Sequence, residues 1–127
     1  MKLIITNAID KAEFEPLKKT FNLEIIKNAA RKSLQGLGND IKSSFKIPAT
    51  SLNKIYLTGP GSAGRAMFLL KIGEAKSVLV MIRTKKDKQI GLNMTIKNPK
   101  FKKALNKNLG LIIADLEQGN YREYEIV

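Results

Sequence analysis

The sequence predicts one α+β domain over residues 1–127, with an N-terminal strand and a helical pair packed on a curled antiparallel sheet of about four strands, plus a C-terminal helix. Three observations predict it. The first is an apolar opening, Leu3-Ile4-Ile5, that stops in polar residues. The second is a central run of β-branched and apolar segments separated by turn formers, and the third is a strong helical repeat after Asn98-Pro99. A chain of 127 residues with 43% hydrophobic and 27% charged residues has enough apolar material for one core and too little for two.

The elements follow in order. Lys2 to Ala8 reads as a first strand. Asp10 and Glu13 have capping-box spacing, and Pro16 keeps any helix there short. From Asn22, the positions Leu23, Ile26, Ala30, Leu34 and Leu37 recur at three and four and define a second helix, which bends at Gly36 and Gly38 before Ile41 and Phe45 resume it. Ile47 to Ser51 is a connector. Lys54–Leu57, Arg65–Ile72 and Ser77–Thr84 are strands of an antiparallel meander, joined by a loop from Thr58 to Gly64 and a turn at Gly73-Glu74. Ile90 to Ile96 has the composition of a further strand. Phe101, Leu105, Leu109, Ile112 and Leu116 then trace one helical stripe that ends at Gly119, and the tail from Tyr121 either pairs as a strand or lies across the sheet.

The chain contains no cysteine and no histidine. Disulfides, thiolate nucleophiles, cysteine-based zinc sites and Ser-His or Cys-His relays are therefore excluded, and any catalysis must use Lys, Arg, Tyr or carboxylates. The longest apolar runs, Ala66–Leu70 and Val78–Ile82, are far below the roughly 20 residues of a membrane span. The N-terminus turns polar at Thr6, too early for a secretory leader, so the expectation is a cytoplasmic protein without a membrane partner.

Net charge is +12, and between Lys71 and Lys107 eleven cations face only Glu74 and Asp87. Nine of the twelve surplus charges thus fall in that segment, a concentration that a phosphate backbone or an acidic partner would relieve. The densest cluster is Arg83-Thr84-Lys85-Lys86-Asp87-Lys88. In an extended chain it sends Arg83 and Lys85 to one face and Lys86 and Lys88 to the other. With Arg65 and Lys71 on the preceding strand, these cations are expected to line one concave surface. Gly59-Pro60-Gly61-Ser62-Ala63-Gly64 lacks the Gly-Lys-Ser/Thr ending of a phosphate loop and leads into a strand, so a hairpin connection is the better account. Two carboxylates near the basic segment support neither a two-metal nuclease nor a glycosidase.

Cations alone suffice for RNA cleavage, because the ribose supplies its own 2′-OH nucleophile. A lysine with a lowered pKa takes the proton, arginines stabilise charge on phosphorus, and another cation protonates the leaving oxygen. This chemistry needs no metal or cofactor. Tyr121 and Tyr124, beside Arg122, are candidates for stacking on an unpaired base, and Lys71 and Lys97 for phosphate contacts.

Gly64-Arg65-Ala66-Met67-Phe68-Leu69-Leu70-Lys71, the strand Val78 to Arg83 running into Lys85-Lys86-Asp87-Lys88, and the helix from Asn98-Pro99-Lys100-Phe101 to Leu116 together resemble the RelE/ParE superfamily of toxins from bacterial type II toxin-antitoxin systems. The resemblance spans most of the chain through degenerate motifs. It implies inhibition of translation by cutting mRNA on the ribosome, and a small antitoxin protein that wraps the toxin. By position it implies roles for Arg65, Arg83, Lys85, Lys86 and Lys88 in catalysis, and for Tyr121 or Tyr124 in base stacking. A gyrase-inhibiting branch of the same superfamily and a non-toxic RNA- or ribosome-binding module remain as alternatives.

Overall fold

The computed structural model describes residues 1–41, 47–91 and 93–126. Strand β1 (Lys2–Thr6) carries the apolar opening into the middle of the sheet, where both its faces are covered and Leu3, Ile4, Ile5 and Thr6 are all buried. The chain then turns through a short helix α1 (Asn7–Ile9), a π-helical turn (Asp10–Phe14) and a 3₁₀ turn (Glu15–Leu17) that holds Pro16. The capping box anticipated at Asp10 and Glu13 does not form. The helical path has already begun at Asn7, the Ala8 amide is capped from afar by Asp115 at 2.9 Å, and Glu13 turns inward.

Helix α2 (Leu23–Leu34) is started by Asn22, whose Oδ1 accepts from the Ile25 amide at 3.0 Å, and it buries Ile26, Ala29 and Ala30. It ends sooner than the apolar spacing suggests. Gly36 takes a positive φ of 83° and Leu37 is left 54% exposed. Ile41 belongs not to a resumed helix but to strand β2 (Asn39–Ile41), paired antiparallel with β3 (Ser51–Gly59); Phe45 lies outside the described residues. Only glycine permits that junction, since a Cβ at Gly38 would sit 2.7 Å from the Lys54 carbonyl oxygen.

Strands β3, β4 (Ser62–Lys71) and β5 (Lys76–Thr84) form the expected antiparallel meander. The glycine-rich stretch is almost entirely strand, with pairing that continues to Gly59 opposite Ser62 and only residues 60–61 left in the turn. Those glycines make room rather than loops. A Cβ at Gly64 would lie 2.6 Å from the Arg83 carbonyl oxygen and 2.8 Å from the ring of Phe21, which is fully buried beneath.

Helix α3 (Pro99–Gln118) is capped by Asn98 and closed by Gly119 in the left-handed region. Phe101, Leu105, Leu109 and Ile112 are buried on one stripe, as the repeat predicts. The tail pairs as strand β6 (Tyr121–Glu125). The sheet therefore has six strands in the order β2-β3-β4-β5-β1-β6, and it is mixed, because β1 runs parallel to β5. No strand forms from Ile90 to Ile96 among the described residues. Side chains take the backbone groups there instead: Asp87 accepts from the Gln89 and Ile90 amides, and the Asn98 amide donates to the Gln89 and Asn93 carbonyls.

The pairing of β1 with β5 ends at Ile4 opposite Val78, which leaves the upper edge of β5 without a strand. Glu13 and Asn108 complete it. The Ile82 amide donates to Glu13 Oε1 at 2.9 Å, and the Asn108 side-chain amide donates to the Val80 carbonyl at 2.9 Å and to Glu13 Oε2 at 3.3 Å. No helix among the described residues is long and apolar enough to cross a membrane.

Candidate nucleic-acid interface

Register places Tyr56 of β3, Arg65 of β4 and Arg83 of β5 directly side by side, so the three share one face of the sheet. Alternation adds Lys54, two residues before Tyr56. The opposite face of β3 carries the buried Asn53, Ile55 and Leu57. The connection from β5 to α3 crosses the Tyr56 face: Arg65 Nη1 donates to the Gly91 carbonyl at 3.1 Å, and Lys54 Nζ donates to the Met94 carbonyl at 3.3 Å. Met94 is fully buried and pins the connection.

The Arg65 guanidinium lies 5.1 Å from the centre of the Tyr56 ring, within cation–π range, and the ring is 66% exposed. Stacked in this way, the arginine presents a planar fork beside an aromatic surface. Partial burial, and then the neighbouring Arg65 charge, hold the Lys54 amine below its ordinary value of 10.5. Tyr56 and Lys54 are the residues that the sequence alone did not single out. Their only signal was the alternation of Lys54 and Tyr56 around the apolar Ile55.

Arg83 has a different position. Two arginines opposite each other repel, and Arg83 is stabilised by an ion pair with the buried Glu13, a contact of its Nε with Asp87 at 3.5 Å and a bond to the Ile82 carbonyl at 2.8 Å. Burial opposes ionisation of Asp87, but the Ile90 and Gln89 amides and the Arg83 charge outweigh it and hold the carboxyl below its ordinary value. Arg83 is thus occupied in joining the first helical segment, β5 and the following turn.

Lys85, Lys86 and Lys88 are exposed just beyond β5. The chain is no longer extended there: the Lys85 amide still pairs with the Ala63 carbonyl at 2.9 Å, but the Asp87 amide turns back to Thr84, so the alternation expected from an extended chain stops at Thr84. The remaining sequence candidates stand apart. Lys71 lies at the other end of β4, six residues and about 20 Å from Arg65, and does not line the same surface. Tyr121, Arg122 and Tyr124 are on β6, three strands away from β4, or about 14 Å across the sheet. There Arg122 and Tyr124 line a cavity of about 220 Å³ with Ile5, Asn7, Asp10 and Lys11, and Lys27 stands 5.8 Å over the Tyr124 ring. Lys97 is exposed immediately before the cap of α3.

No family model, curated protein or solved structure matches this chain.

Proposed function

We propose that this protein grips single-stranded RNA over Tyr56 and Arg65 and cuts it by metal-independent attack of the ribose 2′-OH, with Lys54 accepting the proton. The observation that carries the reading is the grouping of a partly buried lysine of lowered pKa, an arginine and an exposed tyrosine on one face of β3 and β4. An exposed ring stacks on any unpaired base, a contact worth about 1–3 kcal/mol. The Arg65 fork matches a phosphate and stabilises the charge that builds on it. Lowering the Lys54 pKa enlarges its neutral fraction at neutral pH, which is the form a general base needs.

In the reaction the 2′-OH proton passes to Lys54 Nζ, the 2′ oxygen bonds to phosphorus, and the bond from phosphorus to the 5′ oxygen breaks. That oxygen leaves with a proton from a turn lysine, Lys85, Lys86 or Lys88. The products are a 2′,3′-cyclic phosphate and a 5′-hydroxyl. Arg83 acts indirectly, by fixing the strand and turn that carry these groups. The resemblance to RelE/ParE toxins extends the proposal to mRNA on the ribosome in the cytoplasm as the target and a small antitoxin protein as the controlling partner.

Induced expression without a partner tests the proposal. Wild type is expected to arrest growth with cut mRNA bearing cyclic phosphate ends. Lys54→Met, which keeps the side-chain length and loses the amine, is expected to bind RNA while cutting about 10²- to 10⁴-fold more slowly. A folded Lys54→Met/Arg65→Ala variant that still cuts mRNA contradicts the assignment. Growth arrest with intact mRNA and a DNA-damage response would point to a gyrase-like target, and RNA binding without arrest to a non-catalytic module.

A further inference from the structure

Most of the positive charge does not belong to the Tyr56 face. Lys100, Lys103 and Lys107, at spacings of three and four, are all exposed on one line of α3, and the line lies opposite the buried stripe of Phe101, Leu105 and Ile112. None of the three pairs with a carboxylate among the described residues, whereas Lys2, Lys27, Lys76 and Arg83 all do. Lys97 extends the line past the helix cap, and the first acidic residue of α3 is Asp115. The stripe also lacks an exposed ring, since Phe101 is fully buried.

Cations with an aromatic neighbour suit unpaired bases; cations alone suit a backbone whose bases are hidden. We infer that the Lys100–Lys103–Lys107 stripe of α3 is a second nucleic-acid surface, which docks the phosphate backbone of a base-paired segment while the Tyr56 face takes an unpaired one. From Lys100 to Lys107 the helix rises about 10 Å, which matches about three successive phosphates of one strand at about 3.4 Å each along a duplex axis. The inference rests on the reading above only for the polyanion being nucleic acid, and it does not require cleavage.

The test is a salt titration of binding to a short RNA duplex, a DNA duplex of equal length and a single-stranded RNA. Lys100→Gln/Lys103→Gln/Lys107→Gln is compared with Lys11→Gln/Lys18→Gln/Lys19→Gln, which removes the same charge from exposed positions elsewhere. The α3 variant is expected to reduce the log–log salt slope on a duplex by about 2.7, or about 0.9 for each phosphate released, and the control variant to leave it nearly unchanged. The duplex with the steeper wild-type slope identifies the source of the backbone. Equal losses in the two variants, or an unchanged slope in the α3 variant, would overturn the inference, as would tighter wild-type binding to a poly-glutamate peptide than to either duplex. Tyr56→Ala separates the two surfaces: it is expected to weaken single-strand binding and spare the duplex slope, and its failure to do so would count against the Tyr56 face without touching the α3 result.

Discussion

Glu13 shows how much a single side chain carries here. At 4% exposure its carboxylate accepts from the Ile82 amide, the Arg83 guanidinium and the Asn108 amide, and so replaces the strand that β5 lacks above Val78. Removing it leaves a buried amide and a partly buried cation without partners. Glu13→Ala is therefore expected to lower unfolding free energy by about 2–3 kcal/mol in a urea titration. In a double-mutant cycle with Arg83→Ala, part of that loss should disappear, since one variant already breaks the pair. Lys54 gives the pH dependence. In the folded chain its charged form is disfavoured, so between its lowered pKa and the ordinary 10.5 the unfolded chain binds the extra proton. Its contribution to stability must then rise with pH across that window. Urea midpoints measured from neutral pH towards 10.5 should show wild type gaining on Lys54→Met; a constant difference would contradict the shift.

At the scale of elements, the glycines separate room from turn. Gly64→Ala places a methyl group against the Arg83 carbonyl and the Phe21 ring and is expected to cost about 1–3 kcal/mol, whereas Gly73→Ala meets nothing within 4 Å and should change stability by less than about 0.5 kcal/mol. Thermal unfolding of the two variants checks the contrast. The same residues explain what could be read from the sequence. The meander, α2 and α3 were legible because apolar periodicity and the Asn22 and Asn98 caps act locally. Gly59 and Gly64 misled, because a space-making glycine and a turn glycine look alike until Phe21 is placed beneath them. The strand β2 was hidden, since Asn39 and Asp40 have no strand preference and pair only because β3 offers an edge. Within the candidate site, the pairing of Arg65 with Arg83 needed only the β4–β5 register. Lys54 and Tyr56 needed the β3 register as well, and the tyrosines of β6 looked close only because strand order is not sequence order.

Across the whole molecule, a charge of +12 is divided between a part that is tied down and a part that is not. Ion pairs join Lys2 and Lys76 to Glu123 on the β1–β6 side, while Lys85, Lys86, Lys88 and the lysines of α3 face solvent. Such a field attracts nucleic acid of any sequence, so affinity alone says little about where RNA lies. Photocrosslinking with a single-stranded RNA carrying a halogenated uridine, followed by mapping of the linked peptide, locates the base directly. The proposal predicts attachment at Tyr56 and its loss in Tyr56→Phe/Arg65→Ala only to the extent that Arg65 holds the strand; attachment at Tyr121 or Tyr124, with none at Tyr56, would contradict it.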